Sequence, residues 1–243
     1  MKKNVKTIIF APVSGILPPL EFSGSSSELM MQPCPLCQHL HADKFHQDKH
    51  RRYYRCQHCY LIYVDEADRF DAKAEKAHYD CHKNNLEDEG YRTFLSRFSE
   101  PLLQRVGETP QQGLDFGCGP GPLLAHMMRE AGHHIELYDI YYTPDKSVFN
   151  KQYDFVSCTE AIEHFYQPQN ELELLLSLIK PGGWLGIMTK LARDESAFAT
   201  WHYKSDLTHV SFFSRETFEF VAKRYRLELE FVGDDVILLR KTQ

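Results

Sequence analysis

The 243-residue chain predicts an open, doubly wound α/β domain. Its mostly parallel sheet is expected to end in an antiparallel hairpin, with a small four-cysteine ribbon in front. Three observations predict this. The first is Leu114-Asp115-Phe116-Gly117-Cys118-Gly119-Pro120-Gly121, where an apolar extended run meets three glycines at alternate positions. A helical apolar pattern then follows (Leu123, Leu124, Met127, Met128), so the stretch reads as strand, tight turn and helix start. The second is the recurrence of apolar runs, at Ile135 to Asp139, Tyr153 to Cys158 and Trp184 to Thr189, in βα alternation. The third is a pair of C-x-x-C knuckles.

Composition narrows the classes. A net charge of −6 disfavours wholesale nucleic-acid binding. No uncharged apolar run approaches the ~18 residues of a membrane span. Seven cysteines, four of them in knuckles, suit metal ligation in a reducing compartment, hence a cytoplasmic protein.

Residues 1–32 read as a weakly ordered tail. Lys2, Lys3 and Lys6 precede an apolar stretch, but Pro12, Pro18 and Pro19 interrupt it, against a secretion signal. Met30 or Met31 is an alternative start. Residues 33–65 hold Cys34, Cys37, Cys56 and Cys59 in a C-x2-C-x18-C-x2-C array that suits a closed tetrahedral Zn2+ site. Four thiolates leave no open position, so a structural staple is favoured over a substrate grip. Tyr53 to Arg55 and Tyr60 to Val64 read as a hairpin. His39, His41, His46, His50 and His58 read as solvated, and Arg51, Arg52 and Arg55 as a solvated basic face. Residues 66–110 read as a helical linker or lid. His78, Cys81 and His82 lack a fourth partner for a metal.

Residues 111–243 read as the cofactor-binding domain. Asp139 ends the second strand about 20 residues beyond the glycine turn, where an acid accepts from ribose hydroxyls. Helix-start N–H groups favour polar or anionic ligand groups. The 13 residues from Tyr141 to Tyr153 are too few for the usual helix and strand, so a truncated connection is expected and no adenine contact is assigned. Leu172 to Ile179 reads as a helix ended by Lys180-Pro181-Gly182-Gly183. Ser214 starts a further helix, and Leu227 to Leu239 is a hairpin across Gly233-Asp234-Asp235.

The D-x-G-x-G-x-G form, with the acid two residues before the first glycine, resembles motif I of the class I S-adenosylmethionine-dependent methyltransferases. The LIKPGGWLGIMT segment resembles their fifth-strand motif. The likeness spans about residues 90 to 243. It implies a Rossmann-like, seven-stranded-type sheet, methyl transfer by in-line displacement, and S-adenosylmethionine held by Asp115, Gly117, Cys118, Gly119, Gly121, Asp139 and Thr159. Asp115 would face the cationic amino group and Asp139 the ribose. A ribbon ahead of such a domain resembles certain bacterial methyltransferases, including some that C-methylate nucleotide-linked sugars.

Glu160, Glu163 and His164 follow the third strand. On a helix their spacing puts them on one face. The E-x-x-E-H segment resembles the metal motif of small-RNA 2′-O-methyltransferases and the matching segment of ubiquinone-pathway O-methyltransferases. That likeness implies Mg2+ or another divalent ion, completed by His209 or His202. Without metal, His164, His202 or His209 serves as general base. Trp201, Tyr203, Phe212 and Phe213 either wall a substrate pocket or pack under the sheet edge. The expected partner is a small hydroxylated acceptor, O- or C-methylated. The alternatives are an RNA or protein methyltransferase docked by the ribbon and a non-catalytic binding module. Nothing in the sequence sets an oligomeric state.

Overall fold

The computed structural model describes residues 32–70, 75–76 and 88–242. The tail before Gln32, and His78, Cys81 and His82, lie outside the described residues.

The ribbon begins with two copies of one knuckle. In the first, Gln38 N–H donates to Cys34 O (2.9 Å) and Cys34 N–H to His39 O (2.9 Å). In the second, Tyr60 N–H donates to Cys56 O (3.1 Å) and Cys56 N–H to Leu61 O (2.9 Å). Gln38 and Tyr60 close them in the left-handed region, at φ 61° and 62°. Strands β1 (Ala42–Gln47) and β2 (Arg52–Cys56) pair antiparallel, and β3 (Ile62–Val64) pairs with β2 as the sequence predicted. Asp43, Lys44, His46 and Gln47 make β1 too polar for its pattern to reveal it.

Helix α1 (Glu89–Val106) opens the larger layer, its start capped by the Asp88 carboxylate, which accepts from Tyr91 N–H (2.9 Å). Then come β4 (Gln112–Phe116), α2 (Leu123–Glu130), β5 (His134–Tyr138), β6 (Tyr153–Thr159), α3 (Pro168–Ser177), β7 (Ile179–Met188), α4 (Glu195–Ala199), β8 (Ser211–Phe212), α5 (Arg215–Tyr225), β9 (Leu227–Val232) and β10 (Val236–Lys241). The sheet order is β5-β4-β6-β7-β10-β9. β4 runs parallel to β5 and β6, and β6 to β7, while β10 is antiparallel to both its neighbours. Strand order reverses beside β4, so the crevice beyond the C-terminal ends of β4 and β6 is where such a sheet takes ligands.

Four expectations need adjustment. The sheet has six described strands; the truncated connection holds only a turn from Asp139 to Thr143 and a single 3-10 turn, Lys146–Asn150, so no further strand fits. Strand β7 starts at Ile179. Residues 180–183 form an outward bulge opposite Asp154, whose carboxylate pairs with Lys180 (2.8 Å). Residues 66–110 are not all lid. α1 lies on the sheet at Gly186, where a Cβ would come within 2.7 Å of the Phe98 ring. Glu75, by contrast, does reach the β5 end, accepting from Tyr141 OH (3.0 Å). Finally, Glu160 to His164 do not form an α-helix. Glu160 takes a left-handed φ of 48°, and only Ile162–His164 make a 3-10 turn.

Ribbon and sheet belong to one unit, Met31–Gln243. β8 pairs with β3, Ile62 opposite Phe212 and Tyr63 opposite Ser211. Phe45, Tyr53, Ile62 and Val64 share a buried cluster with Phe198, Tyr203, Val210 and Phe212.

Candidate active site

At the end of β4 the glycine turn is built from its own hydrogen bonds. Gly117 N–H and Cys118 N–H both donate to Tyr138 O (2.8 and 3.2 Å), and Gly119 N–H donates to Asp139 Oδ2 (3.0 Å). Gly117 has φ 78°, and a Cβ there would come within 2.6 Å of Ala161 Cβ, so only glycine fits. The turn's own N–H groups at 117, 118 and 119 are therefore used inside the protein, and the helix-start groups that the sequence pointed to lie further on, at the start of α2.

Charge at the mouth fits a cation. Asp115 is 2% exposed and accepts from Ser157 OH (2.8 Å). Burial pushes its carboxyl up to about 6, with Ser157 and Arg129 pulling it down and Asp139 adding to the rise. A sulfonium cofactor's amino group would compensate that desolvated carboxylate, so the residues present fit S-adenosylmethionine. Asp139 is more constrained than the sequence suggested. Its Oδ1 accepts from Tyr141 and Tyr142 N–H (2.8 and 3.0 Å), so Oδ2 has room for at most one further donor. Thr159 and Cys118 sit half-buried at the ends of β6 and β4. Tyr91, half-buried on α1, stands near both Asp115 and Glu160. Burial first, then those two charges, lifts its phenol to about 12.

Across the mouth lies a second group. Ligand atoms of Glu163, His164 and His209 all lie within 4.8 Å of one another. Glu163 is 1% exposed; Thr189 OH donates to its Oε2 (3.0 Å) and Tyr203 OH to its Oε1. His164 Nδ1 faces Thr208 O (3.2 Å) and His209 Nδ1 faces Tyr203 O (2.7 Å). A carbonyl only accepts, so each Nδ1 carries a proton and Nε2 is the nitrogen that can exchange one; His209 Nε2 lies 3.9 Å from Asp206 Oδ2. Burial raises the carboxyls of both Glu163 and Glu160, and for Glu160 the Glu163 charge raises it further.

Of the residues the sequence grouped, His209 joins this cluster and His202 does not. His202 is exposed, its Nε2 3.2 Å from Lys190 Nζ. Glu160 stands outside the trio, with Oε1 buried and unpartnered. Thr189 and Tyr203 had no chemical signal in the sequence, because their partner Glu163 is remote in the chain.

The four cysteines also converge. Cys34 and Cys59 sulfurs are 3.4 Å apart, Cys37 and Cys56 3.5 Å, and three of the four residues are buried. Their proximity drives Cys34 and Cys59 up and Cys37 and Cys56 down, since four thiols this close cannot all ionise without a cation. The donor set fits Zn2+. Arg51, expected on a solvated face, is 3% exposed. Arg52 is held by Asp68 (2.8 Å) and Asp65 (3.3 Å).

No helix among the described residues is long and apolar enough to cross a membrane. A family model described as "Methyltransferase domain" matches residues 86–230. The ubiquinone biosynthesis O-methyltransferase of Stutzerimonas stutzeri is 29% identical over 101 residues, covering 42% of each chain. That of Salmonella arizonae is 32% identical over 81 residues, 33% of each. The chain thus matches less than half the length of these curated relatives. Among solved structures, the 1,6-didemethyltoxoflavin-N1-methyltransferase of Burkholderia thailandensis aligns with a TM-score of 0.48 at 15% identity, covering 83% of this chain and 100% of that one. A SAM-dependent methyltransferase of Archaeoglobus fulgidus aligns at 0.45 and 17%, covering 62% and 99%. With the family model spanning more than half its length, the chain belongs to the methyltransferase-domain family, as a class I S-adenosylmethionine-dependent member.

Proposed function

We propose that the protein methylates a small hydroxylated metabolite, on the hydroxyl oxygen or on a carbon that the adjacent oxyanion activates. The observation that carries this reading is the Glu163–His164–His209 centre, with both imidazole protons tied to backbone carbonyls. His209 can then take the acceptor's hydroxyl proton at Nε2, while buried Glu163 and Asp206, whose Oδ2 lies 3.9 Å from that nitrogen, favour the imidazolium that results. S-adenosylmethionine, when bound, supplies an electrophilic methyl group on a sulfonium sulfur. With it bound, an acceptor oxygen deprotonated by His209, or a carbon that gives up its proton to the same base, would take the methyl group, and the carbon–sulfur electron pair would remain on sulfur. Asp115 would hold the amino end, the Gly117–Gly121 turn would shape the adjoining wall, and Asp139 would take one ribose hydroxyl. Alignment of nucleophile, methyl carbon and sulfur is the protein's main contribution.

A second reading keeps the acceptor and adds a divalent ion at Glu163, His164 and His209. The carbonyl-anchored rings and the doubly hydrogen-bonded carboxylate favour it, since metal ligands are usually held this way. Such an ion would lower the acceptor hydroxyl's pKa. Docking of RNA by the ribbon is disfavoured, because Arg51 and Arg52 are consumed by internal oxygens.

Methyl-labelled S-adenosylmethionine, incubated with the protein and with low-mass, RNA and protein fractions of a bacterial extract, tests both readings. Label is expected in the low-mass fraction and lost in His209→Gln but kept in His202→Ala. Loss of transfer on chelation, with ribbon zinc retained, selects the metal-assisted version. Label in the RNA or protein fraction would overturn the small-molecule reading.

A further inference from the structure

One ribbon side chain is bound along the whole loop that carries His209. Arg51, in the turn between β1 and β2, lies buried against the loop that carries His209. All five of its guanidinium N–H groups are accounted for. Nε donates to Tyr53 OH (3.0 Å); Nη1 to Leu207 O (3.1 Å) and His209 O (2.8 Å); Nη2 to Asp206 O (3.2 Å) and Lys204 O. Four carbonyls of one irregular loop therefore end on one cation. Buried carbonyls without such a partner would be costly, so the loop's fold depends on this donor. Asp48 completes the arrangement, accepting from Tyr53 OH (2.8 Å) and pairing with Lys204 (3.4 Å). The next residue, Val210, links ribbon to centre: its N–H donates to Glu163 O (2.9 Å) and its carbonyl accepts from Val64 N–H (3.0 Å).

We propose that Arg51, supplied by the four-cysteine ribbon, is a positioning residue for methyl transfer, folding the Lys204–His209 loop so that His209 stands against Glu163 and His164. This rests on the reading of His209 given above. Arg51 touches none of Asp115, the glycine turn or Asp139, so its loss should move turnover and leave cofactor affinity alone. Lysine cannot replace it, because a single ammonium with three donors cannot span four carbonyls.

The test pairs an acceptor-independent readout with turnover. In Arg51→Ala, amide hydrogen exchange across residues 204–211 should accelerate, while the β4 and β6 amides stay protected. Label transfer into the low-mass fraction should fall about 100-fold, the scale of a small misplacement of a reacting group. S-adenosylmethionine affinity by calorimetry should change less than about twofold, separating turnover from binding. Added guanidinium ion should restore part of the rate in Arg51→Ala, and Arg51→Lys should recover little. Wild-type exchange and wild-type transfer in Arg51→Ala would overturn the proposal. If that variant fails to fold, Tyr53→Phe decides. It keeps a fully buried ring and removes only the hydroxyl that orients Nε, so faster exchange at 204–211 and a several-fold lower rate are expected. Unchanged values there would overturn the proposal equally. His209→Gln at the wild-type rate would sink the reading of His209 itself. An inactive His209→Gln beside a fully active Arg51→Ala would sink the positioning role alone.

Discussion

Asp115 shows how a single side chain trades stability for binding. Its carboxyl stands at about 6, against an ordinary value of 3.8. The folded state therefore binds this proton more tightly than the unfolded chain does. The linkage sign follows: stability rises as pH falls from 7 through 6 towards 4, and the burial cost is fully present above about 6. That cost is on the order of 3 kcal/mol at neutral pH, at ~1.4 kcal/mol per pKa unit. Asp115→Asn should raise the melting temperature of the ligand-free protein at pH 7 and flatten its pH dependence between about 4 and 6. It should also weaken S-adenosylmethionine about 10- to 100-fold, the scale of a lost charged hydrogen bond. Calorimetry with and without cofactor checks both signs, and a variant that loses stability while keeping affinity would contradict the assignment. The carboxylate was legible from its place before the glycines. Its isolation was not, because desolvation depends on what packs around it. His209 was legible only as one of two candidates. What separates it from His202 is which ring the fold buries, and the carbonyls of the His209 loop are held by Arg51, distant in sequence.

At the scale of elements, the chain's local chemistry explains most boundaries. Ser214 and Thr217 make a reciprocal cap for α5, and Gly233 turns the β9–β10 hairpin at φ 64°. Two segments escaped local reading because tertiary pairing overrides propensity. Lys180 to Gly183 read as a helix stop, yet β7 already starts at Ile179, which pairs with Tyr153. Glu160 to His164 has helical spacing, but the strand end holds Glu160 N–H on Met188 O (2.8 Å), forcing the left-handed turn. A non-glycine residue in that region costs on the order of 1–3 kcal/mol and marks functional sites. Glu160→Gly should thus relieve strain and raise stability, while slower methyl transfer would show that the carboxylate itself is used. Gly186 carries the opposite expectation. A methyl there meets the Phe98 ring at 2.7 Å and Leu102 at 3.2 Å, so Gly186→Ala should lower stability by about 1–3 kcal/mol through overpacking. Chemical denaturation with an unchanged m-value would confirm that only packing was lost. An unaltered midpoint would mean that α1 shifts freely over β7.

For the molecule as a whole, the question is whether the ribbon is an appended module or part of the enzyme. Its spacing was legible in full, but its attachment was not, since β8 is two residues long and lies more than 140 residues from β3. The packing argues for integration. Leu36 and Leu61 beside the knuckles are fully buried in the same cluster as Phe213, Phe218 and Val221, and His58 sits 5.1 Å from the Phe220 ring. A closed zinc site contributes roughly 10–16 kcal/mol of apparent folding energy in isolated fingers, so loss of one thiolate should release the ribbon strands. β8, Arg51 and the His209 loop would loosen with them. The β4–β6 crevice, built from separate strands, should still bind cofactor. Cys56→Ser is therefore expected to lose zinc, to show rapid hydrogen exchange at 62–64 and 204–212, and to retain S-adenosylmethionine binding while methyl transfer disappears. An appended docking module predicts otherwise: zinc lost, the loop protected, and transfer to a small acceptor intact. Zinc content, exchange and label transfer on one preparation of Cys56→Ser decide between them. Intact transfer without zinc would reduce the ribbon to an independent appendage, and loss of cofactor binding as well would mean that the ribbon stabilises the whole sheet rather than one loop.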